Sequence, residues 1–128
     1  MIDIAEFNTL NAKTDPAVNL AITGLIKKQG INAWGSEIKG GHRVGCHSHS
    51  VGEEWYIILS GEGEIWTADV HGRQLQNKRV NPVQAGSVFC IYPGTAHQMR
   101  ATSDLKFIFL CPSSHLSSDR TLFADLIE

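Results

Sequence analysis

GHRVGCHSHSVGEEWYIILSG, residues 41–61, places two histidines one residue apart and a carboxylate five residues beyond the second. On a strand, side chains alternate between faces, so His47 and His49 point the same way, about 6.6 Å apart along the backbone. They can converge on one ion. A turn through Ser50 to Glu53 brings the Glu54 carboxylate beside both rings. Cys46 then faces away from whatever His47 serves. Glu54 opens the run Glu54–Leu59, in which Tyr56 and Ile58 share its face. Tyr56 can therefore offer a phenol to a bound ligand, or fill the core with its hydroxyl satisfied. Glu53, one residue earlier, competes with Glu54 as the carboxylate. Two histidines at this spacing do not by themselves make a metal site.

Working outward, apolar or alternating runs separated by glycine mark strands joined by tight turns. The runs are Ile31–Ile38, Glu54–Leu59, Glu64–Val70, Gly86–Ile91 and Leu105–Cys111. Turn signals fall at Gly40-Gly41, Ser60 to Gly63, His71 to Arg73, Asn81-Pro82 and Pro93-Gly94. The pattern predicts an all-β barrel or sandwich. A fourth candidate, His97, lies just past the Pro93-Gly94 turn, and only a closed barrel carries it back to the other three. Met99 shares its face and would wall a pocket.

The ends read differently. Val18, Leu20 and Ile22 alternate as in a strand, while Asp15-Pro16 can open a short helix. Near the C-terminus, Ser117 or Ser118 can cap a short helix with Leu122, Phe123, Leu126 and Ile127 on one face. That stripe is expected to pack on the barrel or on a partner chain. No repeat, linker or low-complexity tract divides the chain, which reads as one domain over residues 1–128.

The sequence has 128 residues, enough for one continuous core. Eleven Lys and Arg against thirteen Asp and Glu give a net charge of -2, with no basic cluster to neutralise a phosphate backbone. No nucleic-acid partner is expected. No window approaches the ~20 apolar residues that span a bilayer. The first ten residues lack the basic start and apolar stretch of a secretion signal. A cytoplasmic, non-membrane protein is expected. Three cysteines, Cys46, Cys90 and Cys111, are an odd number and read as reduced thiols. Trp34, Trp55 and Trp66 read as packing or interface residues. His42 and Arg43, near the barrel mouth, can meet an anionic substrate but read better as a solvated loop; His71 and His115 lie in apparent loops with no site role expected, and His115 is taken as remote.

The framing glycines add a resemblance. Gly41, His47, His49, Glu54 and Gly61 stand at the spacings of the first conserved motif of the cupin superfamily, and the chain resembles that family from about Ile38 to Cys111. Gly86, Gly94 and His97 are similar to its second motif. Tyr92 and Ala101 depart from the usual proline and asparagine there, without removing a ligand.

The resemblance implies a double-stranded β-helix, or jelly-roll barrel, over about residues 31–111. It also implies a metal near one mouth, held by His47, His49, Glu54 and His97. Three imidazoles and a carboxylate suit one divalent ion per chain, Mn, Fe, Ni, Co, Cu or Zn, better than calcium. Such sites serve dioxygenases, isomerases, decarboxylases and lyases. The expectation is a metal-dependent enzyme acting on a small oxygen-rich organic molecule. Dioxygenase-type chemistry is favoured because no free general acid or base is evident. The alternative is a module that binds a metal, sugar or small acid without catalysis, or a barrel that an ion merely staples. Barrels of this family commonly pair, so a homodimer is expected.

Overall fold

Period-two burial is clearest over Glu54–Ser60 and Leu105–Pro112 in the computed structural model, which describes residues 1–128. The strands are β1 (Lys13–Asp15), β2 (Leu20–Ile26), β3 (Ile31–Ile38), β4 (His47–Ser48), β5 (Glu54–Ser60), β6 (Glu62–His71), β7 (Gln74–Gln84), β8 (Val88–Ile91), β9 (Thr95–Ala101), β10 (Leu105–Pro112) and β11 (Thr121–Leu122). A 3-10 turn over Ser113–Leu116 is the only helical element. All pairings are antiparallel. One sheet has the order β1-β2-β3-β10-β5-β8 and the other β11-β4-β9-β6-β7. From β3 onward the chain alternates between the two sheets, apart from the β6–β7 hairpin, as in a jelly roll.

Alternation decides what fills the space between the sheets. Leu105, Phe107, Phe109 and Cys111 of β10 point inward, as do Tyr56 and Ile58 of β5, and all six are buried. Phe107 and Ile58 are at most 1 % exposed, and burial of side chains this size contributes roughly 2–3 kcal/mol each. Gly61 closes the first motif with φ +89°, and a Cβ there would lie 2.0 Å from the Asp104 carbonyl oxygen. Both the left-handed conformation and the close approach require glycine.

The structure corrects the sequence reading at Asn81-Pro82 and at the C-terminal stripe, and decides between the two readings of the N-terminal region. Asn81-Pro82 is not a turn but part of β7, whose eleven residues form the longest strand. A proline is tolerated there because β7 is an edge strand, where a missing N–H need not cost a ladder bond. The strand reading of the N-terminal region holds: β1 and β2 form a hairpin through residues 16–19, with Asn19 at φ 55°.

The predicted C-terminal helix does not form. Gln98, fully buried on β9, donates to the Val44 carbonyl and to Asp125 Oδ1, while its own oxygen accepts the amides of Leu126 and Ile127. Those bonds satisfy an extended backbone, so Leu126 and Ile127 bury themselves without helical pairing. Leu126 joins Cys46, Ala68 and Ala96 on the outer side of the second sheet, with Phe123 packed against them. No helix is long and apolar enough to cross a membrane.

Candidate metal centre

The four residues singled out by spacing come from both sheets. His47 lies on β4 directly opposite His97 on β9. His49 follows one residue after β4, and Glu54 begins β5 across the barrel. Ring centroids of the three histidines stand 4.3–5.3 Å apart. One donor atom from each of His47, His49, Glu54 and His97 lies within 4.8 Å of the others, and all four residues are buried.

Hydrogen bonds fix which nitrogen of each ring faces the centre. Nδ1 of His47 meets the Gly45 carbonyl at 2.8 Å, that of His49 the Asp119 carbonyl at 2.7 Å, and that of His97 the Thr95 carbonyl at 3.2 Å. A carbonyl cannot donate, so each Nδ1 carries the proton and each Nε2 presents a lone pair. The Nε2 atoms of His49 and His97 are buried and have no hydrogen-bond partner. They lie 3.2 Å and 3.6 Å from the two Glu54 oxygens. Lone pairs facing a carboxylate in a buried site repel unless a cation sits between them. A divalent ion is therefore the group this donor set fits, with the outward N–H bonds orienting the rings as second-layer contacts commonly do.

Each Glu54 oxygen also has a donor behind it. The Tyr56 hydroxyl donates to Oε1 at 2.5 Å, and His115 Nδ1 lies 2.8 Å from Oε2. Tyr56 is stacked on Phe89 and buried, so its hydroxyl is turned to Glu54 rather than to open space. Burial and the neighbouring carboxylate hold the phenol well above its ordinary range. Burial by itself would raise Glu54, but hydrogen bonding from His115 keeps it well below the usual carboxylate range. Burial lowers His115, and the bonds to Glu54 and the Val51 carbonyl outweigh it, leaving it above its ordinary value. Burial, with His97 nearby, takes His47 down to about 3.

His115 was expected to be remote and is not. It occupies the 3-10 turn, is 2 % exposed, and stacks on the His49 ring at 3.9 Å. Nothing in its local sequence marked it, because a loop gives no periodicity from which to infer direction. Asp119 was also missed: its carboxylate accepts the Ser50 and Val51 amides, and so fixes the turn that delivers Glu54. Met99 is buried in the core cluster, two residues beyond His97 on β9. His42 and Arg43 are exposed, and Arg43 pairs with Asp125 at 3.1 Å instead of reaching the centre. Cys46 faces away, in the outer cluster, and all three cysteines are unpaired.

One small space adjoins the centre, and a larger groove has none of the four donors in its lining. A cavity of about 20 Å³ is lined by His47, His49, Glu54 and Tyr56, with Leu116 and Arg120 also in its wall. It has room for about one water or ion. Arg120 is held over it by a 2.6 Å bond to Asp15. The open groove, of about 480 Å³, lies between β6, β7 and β8. Its walls include Thr67 and Ile91, the cross-strand partners of His97 and Glu54.

The family model described as "Cupin domain" matches residues 36–112, more than half of the chain. The chain is a cupin. No curated protein matches it in sequence. Solved structures extend the likeness over most of the chain. A Thermotoga maritima cupin-like protein is 18% identical, with a TM-score of 0.68 and coverage of 95% of this chain and 90% of that one. A Klebsiella pneumoniae protein with a double-stranded beta-helix domain is 15% identical, with a TM-score of 0.65 and coverage of 89% and 91%. Lactobacillus farciminis oxalate decarboxylase, in its formate complex, is 20% identical at a TM-score of 0.67, and 89% of this cupin covers 33% of that chain. At these identities the likeness is one of fold.

Proposed function

We propose that this cupin is a metal-dependent enzyme acting on a small oxygen-rich organic molecule, with one divalent first-row ion held by His47, His49, Glu54 and His97. The observation that carries the reading is the pair of buried Nε2 atoms, on His49 and His97, with no partner other than a space facing Glu54. When bound, an ion of this kind supplies Lewis acidity and, if redox-active, electron transfer.

The chain's residues supply the rest. Val18, Leu20, Ile22 and Phe109 line the small cavity and keep bulk water from the donors. Thr67, Arg79, Asn81 and Thr95 give the groove polar handles for an organic ligand beside its apolar wall of Ile65 and Ile91. Beside the donors the proton-transfer groups are engaged, Tyr56 by Glu54 and His115 at both nitrogens, and in the groove Asp69 is paired with Asn77 and Arg79, leaving Cys90 and Tyr92. Oxygenase-type chemistry asks least of such groups, which favours it over isomerase or lyase chemistry. The formate complex of the oxalate decarboxylase is a case of this fold holding a small carboxylate.

One observation favours a second reading, an ion without catalysis: the donors are sealed and the adjoining cavity is close to the size of one water. Protein purified without added metal is expected to carry one ion per chain. Loaded with Mn²⁺, it is expected to enhance water-proton relaxation through an exchangeable coordinated water, and to turn over a member of a substrate panel in air. A closed ion, with no relaxation enhancement and no turnover, would establish the second reading instead. Absence of metal binding would remove both.

The same reading places the protein in the cytoplasm, where three unpaired cysteines are stable. It also makes the protein a homodimer. Trp55, Leu59 and Val88 are exposed on the outer side of the first sheet, and the C-terminal stripe is used on the barrel itself. Light scattering is expected to give twice the chain mass of 14.0 kDa, and a monomer mass at all concentrations would exclude the dimer.

A further inference from the structure

We propose that His115 is a positioning residue of the metal centre, holding the Glu54 carboxylate in the orientation that presents it to His47, His49 and His97. This rests on the metal-binding reading above and adds to it a residue outside both cupin motifs.

The geometry is specific to that role. Glu54 carries one donor on each oxygen, Tyr56 on Oε1 and His115 on Oε2. The plane of the carboxylate is thereby set from behind, and its remaining lone pairs face the imidazoles. His115 is in turn held at its far end, where Nε2 lies 2.7 Å from the Val51 carbonyl. Its ring is parallel to that of His49, with 2° between the planes. One buried side chain thus touches two of the four donors and ties them to the turn over residues 50–53. Contacts of this kind behind metal ligands are typically worth ten- to a hundredfold in metal affinity.

The competing account is that His115 only fastens the turn through Val51. The two nitrogens separate these accounts. An asparagine amide occupies roughly the place of Nδ1 and can still donate to Glu54, while a glutamine amide reaches roughly the place of Nε2 and can still donate to Val51. Co²⁺ affinity and the visible spectrum of the Co²⁺ form should be measured for the wild type, His115→Ala, His115→Asn and His115→Gln, with far-UV circular dichroism as a check on folding.

The expected result is Co²⁺ binding weakened about 10- to 100-fold in the alanine and glutamine variants, with shifted d–d bands. The asparagine variant should return to within a few-fold of wild type with the original spectrum. Rescue by glutamine and not asparagine would overturn the proposal in favour of the turn-fastening account. Wild-type affinity and spectrum in the alanine variant would overturn it outright. If alanine fails to fold, the asparagine and glutamine variants still decide. A wild-type protein that binds no Co²⁺ would instead refute the metal-binding reading on which this inference depends.

Discussion

His49→Ala is expected to abolish most metal binding, lowering affinity by at least about a hundredfold, because losing a direct donor costs no less than losing a contact behind one. His49 occupies a demanding position. Its Nδ1 is fixed by the Asp119 carbonyl at 2.7 Å, and its Nε2 is one of the two buried nitrogens with no partner. Alanine removes a repulsive lone pair from the metal-free site, so the apo protein should not lose stability in proportion to its loss of metal. The comparison variant is His71→Ala, at the exposed β6–β7 turn. Inductively coupled plasma analysis and calorimetric titration of both proteins give the test. Full metal content in His49→Ala, or a loss equally large in His71→Ala, would show that the ion is held elsewhere.

How much of this could be read from the chain depended on whether the signal was local. The alternation that aims Glu54, Tyr56 and Ile58 inward is a property of one strand, and it holds in β5. The spacing of His47 and His49 is likewise local. Bringing His97 to them required barrel closure, which the motif glycines signalled and the pairing of β4 with β9 carries out. The C-terminal stripe was misjudged because its apolar spacing fits a helix equally well. The deciding partner, Gln98, is 28 residues from Leu126 in sequence. His115 was missed for a related reason: its direction is set by Glu54 and Val51, 61 and 64 residues away, with no regular element to reveal it. Strand periodicity reports burial, whereas side chains that act from turns are placed by tertiary partners.

Acid is expected to release the metal and destabilise the apo protein through the same side chains. A histidine must be neutral to bind an ion, and protons compete for an ordinary imidazole below ~6.5, though for the buried His47 only as pH approaches about 3. For the apo protein the sign follows from His47, which burial and His97 depress to about 3. Between that value and ~6.5 the unfolded chain binds a proton that the folded chain does not. The contribution is therefore present above ~6.5 and declines as pH falls toward 3, a loss on the order of a few kcal/mol. His115 works in the opposite sense. Its folded value is raised, so its contribution is complete below the unfolded value and declines as pH rises through the folded one, away from the acid limb. Glu54, held low by its bond from His115, adds a loss at still lower pH. A bound ion stabilises only the folded state, by an amount set by its concentration relative to its Kd, so proton competition removes that increment too. Melting temperatures of holo and apo protein should converge by about pH 5, with more than one proton taken up per ion released. Metal analysis after dialysis at stepped pH, beside urea melts of the apo form, measures both limbs. Metal content that stayed constant to pH 4 would be incompatible with a site built mainly from histidines, and an apo stability flat between pH 6.5 and 4 would mean that His47 is not held neutral by burial.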